Sequence, residues 1–144
     1  MQRKLWRNTA LLAVLMIAML FLGTGCDKNK VEKSAVNDYI DSRVSGTITA
    51  MDERDVKMAR NIWSDLSELS VKLKNQGEDE LSDDVAALAM SYEKLVSYCN
   101  NGEEKYLTNF KADFQTASEN LAPDLVAAGY DTNELSVSLA SVYK

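Results

Sequence analysis

The side chains best suited to chemistry are two cysteines, Cys26 and Cys99, and 22 carboxylates, in a chain of 144 residues with no histidine. Without imidazole there is no Ser-His-Asp or Cys-His nucleophile system and no histidine-bearing zinc site. The side chain that most often moves protons near pH 7 is also missing. The carboxylates cluster as Glu78-Asp79-Glu80, Asp83-Asp84 and Glu103-Glu104. A calcium loop needs oxygen ligands at alternating positions, a central glycine and a closing glutamate, and no cluster has that pattern. A glycosidase needs two carboxyl groups at a set distance, which spacing along the chain does not supply. GxGxxG, P-loop and nucleophile-elbow patterns are absent. The chemistry-bearing residues therefore point to a protein that is not an enzyme and takes no cofactor or metal. Most of the acids read as helix caps and a solvated face.

Cys26 is the exception. It follows a basic start (Arg3, Lys4, Arg7), an unbroken apolar run from Ala10 to Leu22, and small residues at Gly23 to Gly25, the layout of a secretory signal. The thirteen apolar residues would reach about 20 Å as a helix, short of the roughly 30 Å of a bilayer core. Leu22-Gly23-Thr24-Gly25-Cys26 resembles the lipobox read by the lipoprotein diacylglyceryl transferase and signal peptidase. Leu22 lies four residues before the cysteine, where that family usually places leucine three before it. The resemblance covers residues 1–26. It implies that residues 1–25 are a cleaved helical signal peptide and that Cys26 is the lipidated first residue of the mature bacterial lipoprotein. The alternative is an uncleaved anchor, helped by the lack of charge from Asn8 to Cys26; either way the rest of the chain faces away from the cytosol. Asp27 resembles the inner-membrane retention signal of enteric Gram-negative lipoproteins, and a Gram-positive host would use the outer face of its one membrane. Both imply the outer leaflet of the cytoplasmic membrane.

Loss of residues 1–25 removes three of 16 basic residues and none of the 22 acidic ones, leaving 13 against 22, a net charge of −9. Such a domain is repelled by phosphate backbones, which excludes nucleic acid as a partner. The acid is concentrated late in the chain: Asn75 to Lys144 holds 13 acidic residues against Lys94, Lys105, Lys111 and Lys144. That half is either a solubilising face or a docking surface for a cationic partner. Lys28, Lys30 and Lys33, near the anchor, would each gain around 1 kcal/mol against anionic headgroups.

The elements that must carry these residues are helices. The mature 119 residues suit one domain, reading as a short tether over residues 26–30 and a helical domain over 31–144. Apolar residues recur every three or four positions. The stripes are Val36, Ile40, Val44, Ile48 and Met51; then Met58, Ile62, Leu66, Leu69 and Leu73; then Leu81, Val85, Leu88, Tyr92, Leu95 and Cys99; then Leu107, Phe110, Phe114, Ala117 and Leu121. Asn75-Gln76-Gly77 and Asn100-Asn101-Gly102 read as helix ends. Residues 31–74 read either as one long helix or as two. A turn at Asp52 to Asp55, with one of those aspartates capping the next helix, is favoured, and Gly46 is another candidate break. Pro123 reads as opening a short turn that Gly129 closes. Asp131-Thr132-Asn133-Glu134 has capping-box spacing ahead of Leu135, Leu139 and Val142. The expected fold is all-α, an antiparallel up-and-down bundle of about four helices plus a short C-terminal helix.

Cys99 sits where a small buried hydrophobe fits, with an exposed thiol forming an intermolecular disulfide as the alternative. Trp63 and Tyr39 flank the stripes and read as core packing or as the edge of a partner groove. The leading functional expectation is a lipid-tethered extracytoplasmic module that binds a protein or peptide at the cell envelope. A small-molecule or sensory bundle would instead hold an apolar cavity with converging polar groups. A purely structural envelope lipoprotein is the third possibility, and oligomeric state is left open.

Overall fold

The computed structural model describes residues 31–32 and 35–144. The expected signal peptide (1–25) and tether (26–30), with Leu22, Gly23, Thr24, Gly25 and Cys26, lie outside the described residues. Residues Val31–Lys144 form one unit. Among the described residues there are five α-helices and no strand: α1 (Val36–Glu53), α2 (Val56–Asn75), α3 (Asp79–Asn101), α4 (Glu104–Ala127) and α5 (Asn133–Tyr143).

The segment from Val36 to Asn75 is two helices. Arg54 takes a left-handed conformation (φ 52°, ψ 44°) that ends α1, and the Asp55 carboxylate accepts the Met58 N–H at 2.9 Å to start α2. This is the N-terminal donor that no helical carbonyl reaches. Gly46 is not a break. It lies inside α1 against Met58 and Ile62 of α2, where a Cβ would make ordinary contacts at 3.5 and 3.6 Å.

Each helix packs on the next in sequence, and α5 contacts both α4 and α1. The short last helix thus joins the core directly: Leu135, Leu139 and Val142 are all buried. At the centre Tyr92, Phe110 and Phe114 stack with ring centroids 5.3 to 5.9 Å apart. Tyr143 of α5 meets Phe114 at 6.4 Å. The Tyr92 hydroxyl is fully buried and finds its partner in Thr47 of α1, 2.7 Å away. Ser70 of α2 and Ser82 of α3 clamp those helices reciprocally, each hydroxyl donating to the other's carbonyl at 2.9 and 2.8 Å.

Three expected local features differ. Ile48 is 39% exposed and Thr47 takes the buried place. At 100° per residue, three successive steps of four carry Ile48 about 120° off the face begun at Val36. Pro123 does not open a new turn: α4 runs through it to Ala127. Proline removes one helical N–H and costs about 3 kcal/mol in a helix interior. Here both Pro123 and Glu119, whose carbonyl loses its donor, are exposed, so water can take that bond. Fully buried Leu121 and Leu125 hold the helix on course from either side. Pro123→Ala should therefore raise stability by about 1 to 3 kcal/mol, read as a higher urea midpoint at unchanged slope. Nor does the capping box close between Asp131 and Glu134, and the Thr132 side chain makes no cap hydrogen bond. The Asp131 carboxylate instead accepts the Asn133 N–H at 3.1 Å.

Candidate functional site

Cys99 is buried, and its thiol points at the Ala50 carbonyl at 3.4 Å. Burial pushes the thiol's pKa up, against the opposing pull of the Arg54 guanidinium. A buried, protonated thiol is a packing group rather than a nucleophile. Tyr39 and Trp63 both pack partly buried against the core. Tyr39 also lies beneath the Arg43 guanidinium, 4.4 Å from its ring centroid, and Arg43 pairs with Asp65 at 2.6 Å.

Several acidic residues are brought together at one end of the domain, while Asp52, Glu53, Asp55, Glu103 and Glu104 lie at the other. Val31, where the described chain begins, exchanges two hydrogen bonds with the Gln76 side chain at 3.2 and 3.1 Å. The start of the described domain is thereby fixed beside the α2–α3 turn. At the start of α1, the Asn37 amide donates to the Asp131 carbonyl just before α5. Between those helices lies a groove of about 480 Å³, with Asn37, Asp38 and Asp41 on one wall and Asp131, Asn133 and Glu134 on the other. Leu135 is its one apolar lining residue. Asn37 Oδ1 and Asp41 Oδ1 are buried atoms without a hydrogen-bond partner. Buried acceptors left unpaired cost about 1 to 3 kcal/mol each, so a donor reaching them would relieve a real penalty.

A second hollow, of about 410 Å³, lies between the α2–α3 turn and the end of α4, with Glu78, Asp79, Glu80 and Asp124 among its walls. Beside it lies Asp84 of α3, whose Oδ2 is a buried atom without a hydrogen-bond partner. Its pKa is pushed up to about 7, first by burial, then by the hydrogen bond to Asp124 and the charges of Asp124, Asp83 and Glu80.

The opposite end is where α1 and α3 finish. Arg54 donates to the Cys99 carbonyl at 3.4 Å, and its guanidinium lies so close to Gly102 that a Cβ there would sit 2.7 Å from Nη2. Gly102 also has φ +71°, so the turn favours glycine, while the flexible end of Arg54 could move aside for a Cβ.

Sequence spacing marked Glu78-Asp79-Glu80 and Asp83-Asp84 as acidic clusters. It gave no sign that Asp124 faces Asp84 or that Asp131 faces Asn37, because those pairs are far apart along the chain. Among the described residues no group of three or more acidic or thiol side chains is placed to hold a metal ion. No described helix is long and apolar enough to cross a membrane. No family model, curated protein or solved structure matches the chain.

Proposed function

We propose that this chain is a bacterial lipoprotein, cleaved after Gly25 and lipidated at Cys26, whose domain binds a basic protein or peptide segment at the outer face of the cytoplasmic membrane. Its five helices are read as an antiparallel up-and-down bundle of four, with α5 as the short terminal member. The module works by recognition rather than catalysis.

The observation that carries this reading is the gathering of carboxylates at the end where the chain enters the domain. The groove between α1 and α5 presents Asp38, Asp41, Asp131 and Glu134 and includes no basic residue in its lining. A ligand suited to such walls brings positive charge and several N–H donors, as lysine and arginine do. An apolar small molecule would meet a single leucine there. Tether length adds position. Residues 26–30 span at most about 18 Å when extended, so the acidic end is held near the headgroups. A basic segment lying close to the membrane surface is the partner that fits.

Exposed ion pairs contribute about 0 to 1 kcal/mol each, so affinity comes from several pairs acting together and falls as salt rises. Crosslinking in intact cells should capture a partner with a lysine- or arginine-rich extracytoplasmic segment. Combining Asp38→Lys with Glu134→Lys, both at exposed positions, should cut recovery at least about tenfold. Equal capture by the charge-reversed protein would refute the acidic-end assignment, and an apolar ligand co-purifying without a partner would favour a sensory bundle.

A further inference from the structure

Gln76 caps the end of α2 and grips the chain that enters the domain. Its Oε1 accepts the Val31 N–H at 3.2 Å and its Nε2 donates to the Val31 carbonyl at 3.1 Å, so one side-chain amide takes both backbone groups of one residue. The base of this clasp is rigid. The Gln76 N–H donates to the Leu73 carbonyl at 3.0 Å, that of Gly77 to Lys74 at 3.0 Å and that of Glu78 to Leu73 at 3.1 Å, and Leu73 is buried. On the other side of the clasp, the Val31 side chain packs against the core. Residues 32–35 then lead into α1, turned by the Ala35 N–H donating to the Glu32 carbonyl. A tether from Cys26 therefore ends at Val31 while the clasp holds and at Val36 once it opens. Fully extended, residues 26–30 reach about 18 Å and residues 26–35 about 36 Å.

We infer that Gln76 sets the reach of the tether: by clasping Val31 it halves the distance at which the domain can stand from its membrane, and so concentrates the acidic end in the layer where the partner's basic segment lies. Membrane anchoring and the basic partner are taken from the function proposed above, whereas Gln76 lies outside the lining of the α1–α5 groove. The effective concentration of a tethered site falls roughly as the −3/2 power of tether length, so going from five residues to ten dilutes the acidic end about threefold. Gln76 is thus a positioning residue. Its loss lowers encounter with a partner held in the same membrane and leaves the groove's own contacts as they were.

The test compares the membrane-extracted chain, reconstituted in vesicles, with Gln76→Ala and with Gln76→Met, which keeps much of the side chain's shape without its amide. Hydrogen exchange reads the clasp: protection of the Val31 amide should fall at least about tenfold in both variants, while that of α3 is unchanged. Energy transfer reads the reach. From a dye on Lys74→Cys, an exposed position beside the clasp, transfer to an acceptor on the lipid headgroups should drop in both variants. The chain enters through Val31 whether acyl groups or the apolar run hold it, so this readout stands apart from processing at Cys26, which the mass of the chain reports. Capture of a lysine-rich peptide anchored by lipid in the same vesicles should fall about threefold, while binding of that peptide free in solution stays the same. The inference is overturned if transfer from position 74 is equal with and without the Gln76 amide, or if anchored and free peptide are lost to the same degree. Should neither peptide bind the unaltered chain, the basic partner falls and the reach is decided by the energy transfer alone.

Discussion

Replacing Cys26 with alanine should leave a full-length chain with no lipid and none of the mature species. Mass spectrometry of membrane-extracted protein should show the unaltered chain beginning at a diacylated Cys26. The expected effect is complete because, on the lipoprotein reading proposed above, the sulfur is the atom that receives the diacylglyceryl group. Alanine offers no nucleophile, and the signal peptidase of the family that the lipobox resembles acts after that lipid is in place. Mass is the better readout than membrane fractionation. The apolar run from Ala10 to Leu22 would survive uncleaved in the variant and could still hold the chain on a membrane. Anchoring by acyl chains gains about 0.8 kcal/mol per buried CH₂, so two chains give a stable hold where one does not. An unprocessed, unmodified full-length chain in the natural host would end the lipoprotein reading and the membrane-proximal placement of the acidic end.

The largest expected loss of stability is at Phe114. Its ring is fully buried and touches Tyr92, Phe110 and Tyr143, so it joins α3, α4 and α5 at one point. Phe114→Ala removes the packing energy of the ring and leaves a cavity that three aromatic neighbours on separate helices cannot collapse to fill. A cost of about 3 to 5 kcal/mol follows, against a total stability of roughly 5 to 15 kcal/mol for a domain of this size. With a urea slope of roughly 1 to 3 kcal/mol per molar, the unfolding midpoint should drop by about 2 M. A loss below about 1 kcal/mol would show that these rings do not form the centre of the core.

The sequence by itself determined the helical class, the five-helix layout and most of the buried face. Its power was greatest where steps of three and four alternate. Leu81, Val85, Leu88, Tyr92, Leu95 and Cys99 stay on one side of α3, and all are buried. Glycines at 77 and 102 marked the ends of α2 and α3 because the left-handed backbone there suits a residue without Cβ. Residue type marked Asp52 or Asp55 as the cap of α2, and Asp55 is the one that fills it.

What escaped was whatever depends on a partner distant along the chain. Thr47 is polar and off the hydropathy stripe, and only the Tyr92 hydroxyl arriving from α3 makes its burial affordable. Pro123 carries a local preference of about 3 kcal/mol for ending a helix, and the burial of Leu121 and Leu125 outweighs it. The burial and acidic surroundings that push the Asp84 carboxyl up have no local signature, since Asp124 lies on another helix. Local backbone preference and one-dimensional periodicity fix which segments are helices and which side of each is apolar. The charge and hydrogen-bonding environment of a side chain is set by what the other helices bring to it, and that is decided only when they pack.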